Sequence, residues 1–490
     1  MPGTRARVLT ECLEWAIANM QKIYWLAGVA GIGKSSIALT LCRMLRDEPG
    51  VLFGGGFFCS RSSGSITQTD VRCILPTLAR LLSGKSPEFA TALAAQLGRS
   101  ARVVSKPIDE QIGPLLGMPL AALSPSHPPI VFVIDALDEL SDEGELAQLL
   151  QLLADFQSDV PVKFILTSRP EMHIRRSTII DREHSTILQL HTVDPEDVQN
   201  DIHTYIGRTL AESVKGSIWY TGSEVDTLVR LSNGLFIFAS TALRYILDPE
   251  DDDGRSDRLV RVTSAVAQGS AATSPLDTMY ELVITEASKS TTIDSTELER
   301  LKSNLACILT SRSPLTLQAL ADLTEVRPSR LRSSLRRLHA VVHLPVGDHV
   351  PGVHAVHVTF GDYLFGRASD HIRIPQLIGH QALARGCLFV MNNGLHFNIS
   401  RSLSSYKENP STKPDNISLA LEYACVQWAH HIAAYVFGQS SSAASDPLAF
   451  DIEIGQKFRP KFLAWLEMLS ILRKVGLGVG LLRVAGAAVS

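Results

Sequence analysis

The sequence predicts an α/β fold followed by an all-α region, and two observations support this prediction. First, short apolar runs alternate with helix-like patterns over residues 1–210, whereas strand-like runs become rare after residue 194. Continuous apolar strands that alternate with helices are typical of a doubly wound parallel sheet with helices on both faces. Second, a glycine-rich loop over residues 28–36 joins the first predicted strand to the helix after it.

The elements of the first part follow in order along the chain. An amphipathic helix comes first, because apolar residues recur on one face between Val8 and Ala16. The apolar runs predict four strands, over 23–27, 52–59, 130–134 and 163–167. Helical spacing of apolar residues predicts three more helices, over 37–45, 70–82 and 143–156.

The second part reads as mostly helical. Asp194 is a good N-cap for a helix over 195–210, and the pattern over 225–247 predicts two helices broken at Asn233. The acidic and then Ser/Ala/Gly-rich segment 248–274 predicts an exposed loop or linker. Further on, the pattern predicts a winged helix, made of a helix-turn-helix over 315–345 and a β-ribbon of residues 340–344 and 353–358.

These patterns divide the chain into five predicted segments. They are an α/β domain that carries the glycine-rich loop (1–193), a small helical lid domain (194–250), a linker with a connecting helix (251–285), a winged-helix domain (286–370) and a C-terminal helical domain (371–490).

Composition limits the choice of partners and compartment. The chain has 46 basic and 50 acidic residues and a net charge of −4, so no overall field attracts nucleic acid or an anionic membrane. Its seven scattered cysteines are typical of buried thiols in a reducing compartment. No signal-peptide pattern precedes the first helix, so we expect a cytoplasmic protein without a membrane segment.

The glycine-rich loop fits the pattern GxxxxGK followed by Ser or Thr, the P-loop. The motif and the serine after it comprise Gly28, Val29, Ala30, Gly31, Ile32, Gly33, Lys34, Ser35 and Ser36. Glycines let backbone N–H groups turn around phosphate oxygens, and the following helix adds its positive N-terminal end. Lys34 would reach the β- and γ-phosphates and Ser35 would hold Mg²⁺. The alternative is a tight strand–helix turn that binds nothing.

Carboxylates follow the third predicted strand, where a P-loop site needs a metal partner. Asp135 would hold Mg²⁺ through water, while Asp138 and Glu139 lie one turn later and could polarise an attacking water. Arg169 ends the fourth strand and could contact the γ-phosphate. The alternatives are a solvated acidic turn and a surface arginine.

Together these motifs resemble the NACHT domain, a branch of the STAND class of P-loop NTPases. The similarity is strongest to fungal NLR-like proteins with a nephrocystin-like N-terminal domain. The segments that carry it are 2–5 (PGTR), 24–34 (YWLAGVAGIGK), 57–61 (FFCSR), 134–139 (IDALDE), 164–170 (FILTSRP), 234–240 (GLFIFAS), 357–364 (HVTFGDYL), 387–399 and 423–431. The resemblance implies ATP or ADP with Mg²⁺ as cofactors, and it implies that His357 contacts the β-phosphate of ADP. The alternative for His357 is a half-buried histidine on a β-strand.

Three functions remain open at this point. The resemblance favours a signalling switch that closes around ADP, opens on exchange to ATP, self-associates, signals to an unidentified effector or sensor protein, and hydrolyses ATP slowly as a reset. The second function is an active P-loop ATPase or kinase, for which Glu139 would permit hydrolysis. The third is a winged-helix DNA-binding regulator, and the net charge disfavours it. Its basic patch would comprise Arg327, Arg330, Arg332, Arg336 and Arg337.

Overall fold

The structure is a computed structural model, and it divides into two compact units. It describes residues 3–18, 20–60, 66–140, 142–171, 185–213, 219–248, 254–267, 273–288, 295–350, 352–400, 417–439 and 454–489. The units are Met1–Ser270 and Ala271–Ser490. Two residues of the motifs quoted above, Pro2 and Arg61, lie outside the described residues.

The first unit is built on a five-stranded parallel sheet. Its strands are β1 (Ile23–Ala27), β2 (Leu52–Phe58), β3 (Ile130–Asp135), β4 (Val162–Ser168) and β5 (Ser185–Gln189). They lie in the order β2-β3-β4-β1-β5, and every neighbouring pair is parallel. The predicted parallel α/β sheet is therefore confirmed. The sequence STILQ of β5 gave no strand signal because only two of its residues are apolar and its side chains are mostly half-exposed.

Helices cover both faces of this sheet and continue beyond it. They are α1 (Ala6–Ala18), α2 (Lys34–Asp47), α3 (Ile66–Thr69), α4 (Ile74–Ser83), α5 (Pro87–Arg99), α6 (Ile108–Ile112), α7 (Met118–Leu120), α8 (Glu143–Asp155), α9 (Pro195–Ser213), α10 (Gly222–Ser232), α11 (Phe236–Ile246) and α12 (Arg255–Ala267). The predicted break between α10 and α11 is present, and Asn233 adopts a left-handed backbone there (φ 46°).

Two hydrophobic cores hold the sheet between its helices. Alternate residues of β1 serve opposite faces, so Ile23 and Trp25 pack into one core and Tyr24 and Leu26 into the other. All residues of β1, β3 and β4 are buried, because each of these strands has a neighbour on both sides and helices above and below. Because the three strands are parallel, their carboxyl ends lie at the same edge of the sheet.

The exposed loop predicted over 248–274 is wrong for residues 255–267, which form α12. Leu259 and Val262 are fully buried, and Arg258 Nε donates to the carbonyl oxygen of Ile246 at 3.0 Å. The apolar residues of this helix recur at helical spacing among serines and charges, and that composition concealed its apolar face. Residues 249–253 and 268–272 lie outside the described residues.

The second unit is helical with one short antiparallel ribbon. Its helices are α13 (Pro275–Ser288), α14 (Ser295–Thr310), α15 (Leu317–Thr324), α16 (Pro328–Arg336), α17 (Val358–Asp362), α18 (Gln376–Gly394), α19 (Leu419–Gly438), α20 (Phe462–Ile471) and α21 (Val475–Val489). The ribbon pairs β6 (Val342–His343) with β7 (His354–Ala355) and is shorter than predicted, because the chain turns into α17 at residue 358.

A buried hydrogen-bonded chain crosses the second unit between α18 and α19. The backbone N–H of Arg312 donates to Tyr423 Oη at 3.2 Å, and Tyr423 Oη lies 2.7 Å from His431 Nε2. The hydroxyl therefore donates to His431, whose Nδ1–H then faces His380 Nδ1 at 3.0 Å. Burial lowers the pKa of His380 and of His430 to about 4.

The structure bears on two predictions made from composition, the absence of a membrane segment and the burial of the cysteines. Among the described residues, no helix has both the length and the hydropathy of a membrane span. Six of the seven cysteines are buried thiols, as predicted, and Cys73 is half-buried.

Candidate functional site

The glycine-rich loop lies at the carboxyl end of β1 and leads into α2. Gly31 and Gly33 have φ values of 81° and 102°, a left-handed backbone that strains any other residue. A Cβ added at Gly31 would lie 2.1 Å from Ile237 Cγ2, so this glycine also makes room for the helix above it. The two glycines are therefore required by the turn and by the close approach of α11.

Lys34 lies inside the curve of this loop. Its Nζ donates to the carbonyl oxygens of Gly28 at 2.7 Å and Val29 at 3.0 Å. The side chain is buried, and burial lowers the pKa of Lys34 while the nearby charge of Asp138 raises it. An ammonium held among neutral carbonyls gains from an anionic acceptor, because attraction between opposite charges then adds to the hydrogen bond.

Asp135 ends β3 directly beside the first residues of α2. Thr167 Oγ1 donates to Asp135 Oδ1 at 2.5 Å, and Ser35 also hydrogen-bonds to this carboxylate. Burial raises the pKa of Asp135, and the hydrogen bonds from Thr167 and Ser35 lower it. A serine hydroxyl beside a carboxylate is an oxygen pair that fits Mg²⁺. Sequence reasoning missed Thr167, although it lies on the strand adjacent to Asp135.

The acidic turn after β3 holds Arg169. The N–H of Arg169 donates to Asp138 Oδ1 at 2.9 Å, and Arg169 Nε lies 3.1 Å from Asp138 Oδ2. Both oxygens of this buried carboxylate therefore contact one arginine. Glu139 is half-buried on the same turn. Ala136 opens the turn with a left-handed backbone (φ 57°), which a small residue tolerates better than a branched one. The structure thus brings Asp135, Asp138, Glu139 and Arg169 within electrostatic range of Lys34. The metal-binding role of Asp135 and the catalytic roles of the other three stay predictions.

The first turn of α11 lies directly on the loop. The N–H of Ile237 donates to the carbonyl oxygen of Gly31 at 3.1 Å. Arg5, from the segment before α1, donates from Nη2 to the carbonyl oxygen of Ile32 at 3.0 Å. Its guanidinium also lies 5.1 Å from the ring centroid of Phe236. Sequence reasoning quoted Arg5 within the PGTR segment but gave it no role, because its partners lie far along the chain.

His357 belongs to the second unit and is the N-cap of α17. Its Nδ1 accepts the N–H of Thr359 at 3.2 Å, so a neutral ring carries its proton on Nε2. The alternative of a strand position is wrong, because β7 ends at Ala355. The contact of His357 with ADP stays a prediction.

The arginines of α16 are partly engaged inside the second unit. Arg332 donates to Asp348 Oδ1 from Nε at 3.0 Å and from Nη2 at 2.6 Å, and it also reaches the carbonyl oxygen of Pro345 at 2.9 Å. Arg337 reaches the carbonyl oxygen of Ala287 at 3.5 Å. These contacts weaken the DNA-binding alternative, because they occupy two of its five proposed phosphate contacts.

The arrangement around Lys34 defines a P-loop NTPase, and comparison with known proteins narrows the class. Residues 4–169 match the sequence model of the family described as nephrocystin 3, N-terminal. The vegetative incompatibility protein HET-E-1 of Podospora anserina is 24% identical over 509 residues, covering 96% of this chain and 35% of that protein. The chain thus spans about a third of that relative's length. These similarities support a NACHT-like P-loop NTPase of the STAND class.

Two solved structures are also similar to the chain. One is a STAND protein with a tetratricopeptide repeat sensor from Pyrococcus horikoshii, at 13% identity and a TM-score of 0.39, covering 99% of this chain and 57% of that one. The other is Cdc6p from Pyrobaculum aerophilum, at 13% identity and a TM-score of 0.35, covering 78% of this chain and 94% of that one.

Proposed function

We propose that this protein is a nucleotide-driven signalling switch. It rests closed with ADP, opens when ATP replaces ADP, self-associates in the ATP state, and hydrolyses ATP slowly as a reset. The observation that carries the proposal is the contact between Ile237 and Gly31, since α11 lies on the loop that would hold the phosphates. A nucleotide in the loop would therefore change the surface on which α11 packs. A ligand shifts a conformational equilibrium only when it binds the two conformations with different affinities.

The loop residues fit a nucleotide with Mg²⁺. The backbone from Gly28 to Ser36 would surround the phosphates, and the Lys34 ammonium would exchange two carbonyl oxygens for phosphate oxygens. Ser35 and Asp135 would hold Mg²⁺, whose charge offsets that of the β- and γ-phosphates when it is bound. Among the described residues, the acceptors of the Lys34 ammonium are two neutral carbonyl oxygens, and this supports the assignment.

The contacts within the acidic turn support slow hydrolysis of ATP. Asp138 is held at both oxygens by Arg169, so Glu139 is the better candidate to accept a proton from water. Arg169 would contact the γ-phosphate only after its side chain leaves Asp138. That competition keeps the reactive arrangement rare, which favours a switch over an efficient ATPase.

Signalling requires partners besides the nucleotide. We propose self-association in the ATP state, together with an effector or sensor protein that the chain does not identify. The similarity to a vegetative incompatibility protein supports a signalling role over a metabolic one. We also propose that His357 stabilises the ADP state by donating from Nε2 to the β-phosphate. We further propose that the protein is cytoplasmic.

The nucleotide released on denaturation tests the switch. Purified protein is denatured and its nucleotide is identified by ion-exchange chromatography, while phosphate release measures turnover and light scattering measures mass with ADP or a non-hydrolysable ATP analogue. We expect bound ADP, slow turnover and a larger mass with the analogue. Lys34→Ala should carry no nucleotide. Fast turnover without bound ADP would identify an enzyme instead, and nucleotide retained by Lys34→Ala would refute the P-loop site.

A further inference from the structure

Arg5 joins three parts of the first unit at one point. Its Nη2 donates to the carbonyl oxygen of Ile32 in the P-loop at 3.0 Å, and its guanidinium lies 5.1 Å from the Phe236 ring centroid at the start of α11. Its backbone N–H donates to the carboxylate of Asp201 on α9. One residue before the first helix therefore contacts both the loop and two helices that follow the sheet.

The guanidinium is buried at some cost. Arg5 is only 6% exposed, and its Nε and Nη1 find no acceptor among the residues that the structure describes. Burial lowers the pKa of Arg5, and the charge of Asp201 opposes this effect. Buried donors without acceptors are destabilising, so the contacts that Arg5 does make must hold it in place.

We propose that Arg5 is a positioning residue that clamps the P-loop to α11, so that a bound nucleotide leaves only when this clamp opens. The inference rests on the proposed nucleotide site. A carbonyl of the loop and an aromatic ring of α11 share one planar cation, so movement of α11 away from the loop separates Arg5 from one of them. A lysine has a single ammonium and cannot reproduce the several directed N–H groups of a planar guanidinium.

The dissociation rate of a fluorescent ADP tests the clamp. Protein loaded with Mg²⁺ and N-methylanthraniloyl-ADP is mixed with excess ADP in a stopped-flow instrument. Arg5→Ala should release the nucleotide about tenfold faster, the scale of one lost charge-assisted hydrogen bond. Arg5→Lys should be intermediate. Arg7→Ala is the matched control: Arg7 also faces α9, through Asp197 at 3.4 Å, but its side chain is 80% exposed, so its rate should not change.

A double-mutant cycle separates the clamp from a merely structural role. Phe236→Leu keeps an apolar side chain and removes the ring. It should release the nucleotide at least about threefold faster, because threefold is the lower end of the scale for a cation–π contact and burial strengthens such contacts. The double variant Arg5→Ala with Phe236→Leu should increase the release rate by less than the product of the two single increases, because the two residues share one interaction. Hydrogen exchange should rise in residues 31–33 and 236–246 of Arg5→Ala.

The outcomes distinguish the two proposals. A melting temperature that falls in Arg5→Ala while the release rate stays unchanged would make Arg5 a packing residue and overturn the clamp alone. Fully multiplicative effects in the cycle would also overturn it. Wild-type protein that binds no fluorescent ADP would overturn the nucleotide site and the clamp together. If Arg5→Ala does not fold, Arg5→Lys and Phe236→Leu carry the same test.

Discussion

Asp138→Asn is the sharpest test of how the acidic turn works. The substitution keeps the shape of the side chain and one carbonyl oxygen, so the hydrogen bond from the N–H of Arg169 can persist. It removes the negative charge that Arg169 Nε meets at 3.1 Å. It also removes the charge that most strongly raises the pKa of Lys34, so the loop gains net positive charge.

The expected loss of stability follows from the burial of the pair. The side chain of Asp138 is 5% exposed and that of Arg169 is 27% exposed. A hydrogen bond between charged groups contributes about 1.5–3 kcal/mol, and the partial exposure of Arg169 lets water replace part of it. We therefore expect a loss of about 1.5–2 kcal/mol. For a unit of this size, that lowers the melting temperature by roughly 3–8 °C.

The assay is thermal unfolding without nucleotide, run beside phosphate release. Glu139→Gln is the matched comparison, since the residue is adjacent and half-buried and its proposed role is to accept a proton. We expect Glu139→Gln to abolish turnover with a smaller change in melting temperature than Asp138→Asn. If Asp138→Asn melts like the wild type yet loses all turnover, then Asp138 is the base and its contact with Arg169 is not a stabilising pair.

Three further predictions follow from particular contacts. His357→Ala should weaken ADP binding about tenfold, which is the scale of one hydrogen bond to a charged group, and should change ATP binding little. Equal effects on both nucleotides in calorimetry would refute the proposed contact of His357 with ADP. Gly31→Ala should lower the melting temperature, because its Cβ would lie 2.1 Å from Ile237 Cγ2, and adding Ile237→Ala should restore part of the loss; no restoration would locate the strain in the backbone alone. The second unit should lose stability as pH falls from about 6.5 to about 4, because the folded His380 and His430, with pKa values of about 4, bind fewer protons there than the unfolded chain. Each histidine should cost up to about 2 kcal/mol between pH 7 and pH 5. An unchanged hydrogen-exchange protection factor in Gln376–Gly394, corrected for the slower intrinsic exchange at the lower pH, would contradict this.

The sequence predicted the parts of the site whose determinants are contiguous. The P-loop comprises nine neighbouring residues between a strand and a helix, so pattern and chemistry sufficed to find it. Asp135 followed from its place at the end of an apolar run. Thr167 and Arg5 could not be found this way. Thr167 contacts Asp135, 32 positions away, and Arg5 contacts Ile32, 27 positions away. Local patterns do not encode which distant groups meet.

Two elements were missed or misread for a related reason. Strand β5 has few apolar residues, because it pairs with β1 and carries half-exposed side chains, so neither alternation nor a continuous apolar run marks it. Helix α12 buries Leu259 and Val262 inside a segment whose overall composition is typical of a linker. In both, tertiary contacts outweigh local preference.

The pairing of β1 has a consequence for the order in which this chain can fold during its synthesis. Ile23 lies opposite Phe164 of β4 on one side and Ser185 of β5 on the other. A ribosome must therefore add well over a hundred residues before the strand that precedes the P-loop has either neighbour. The same delay limits truncated chains. A fragment cut at residue 169, where the family match ends, leaves the β5 side of β1 open to pairing between molecules. We therefore expect that a fragment must extend at least through Gln189, the end of β5, to remain soluble.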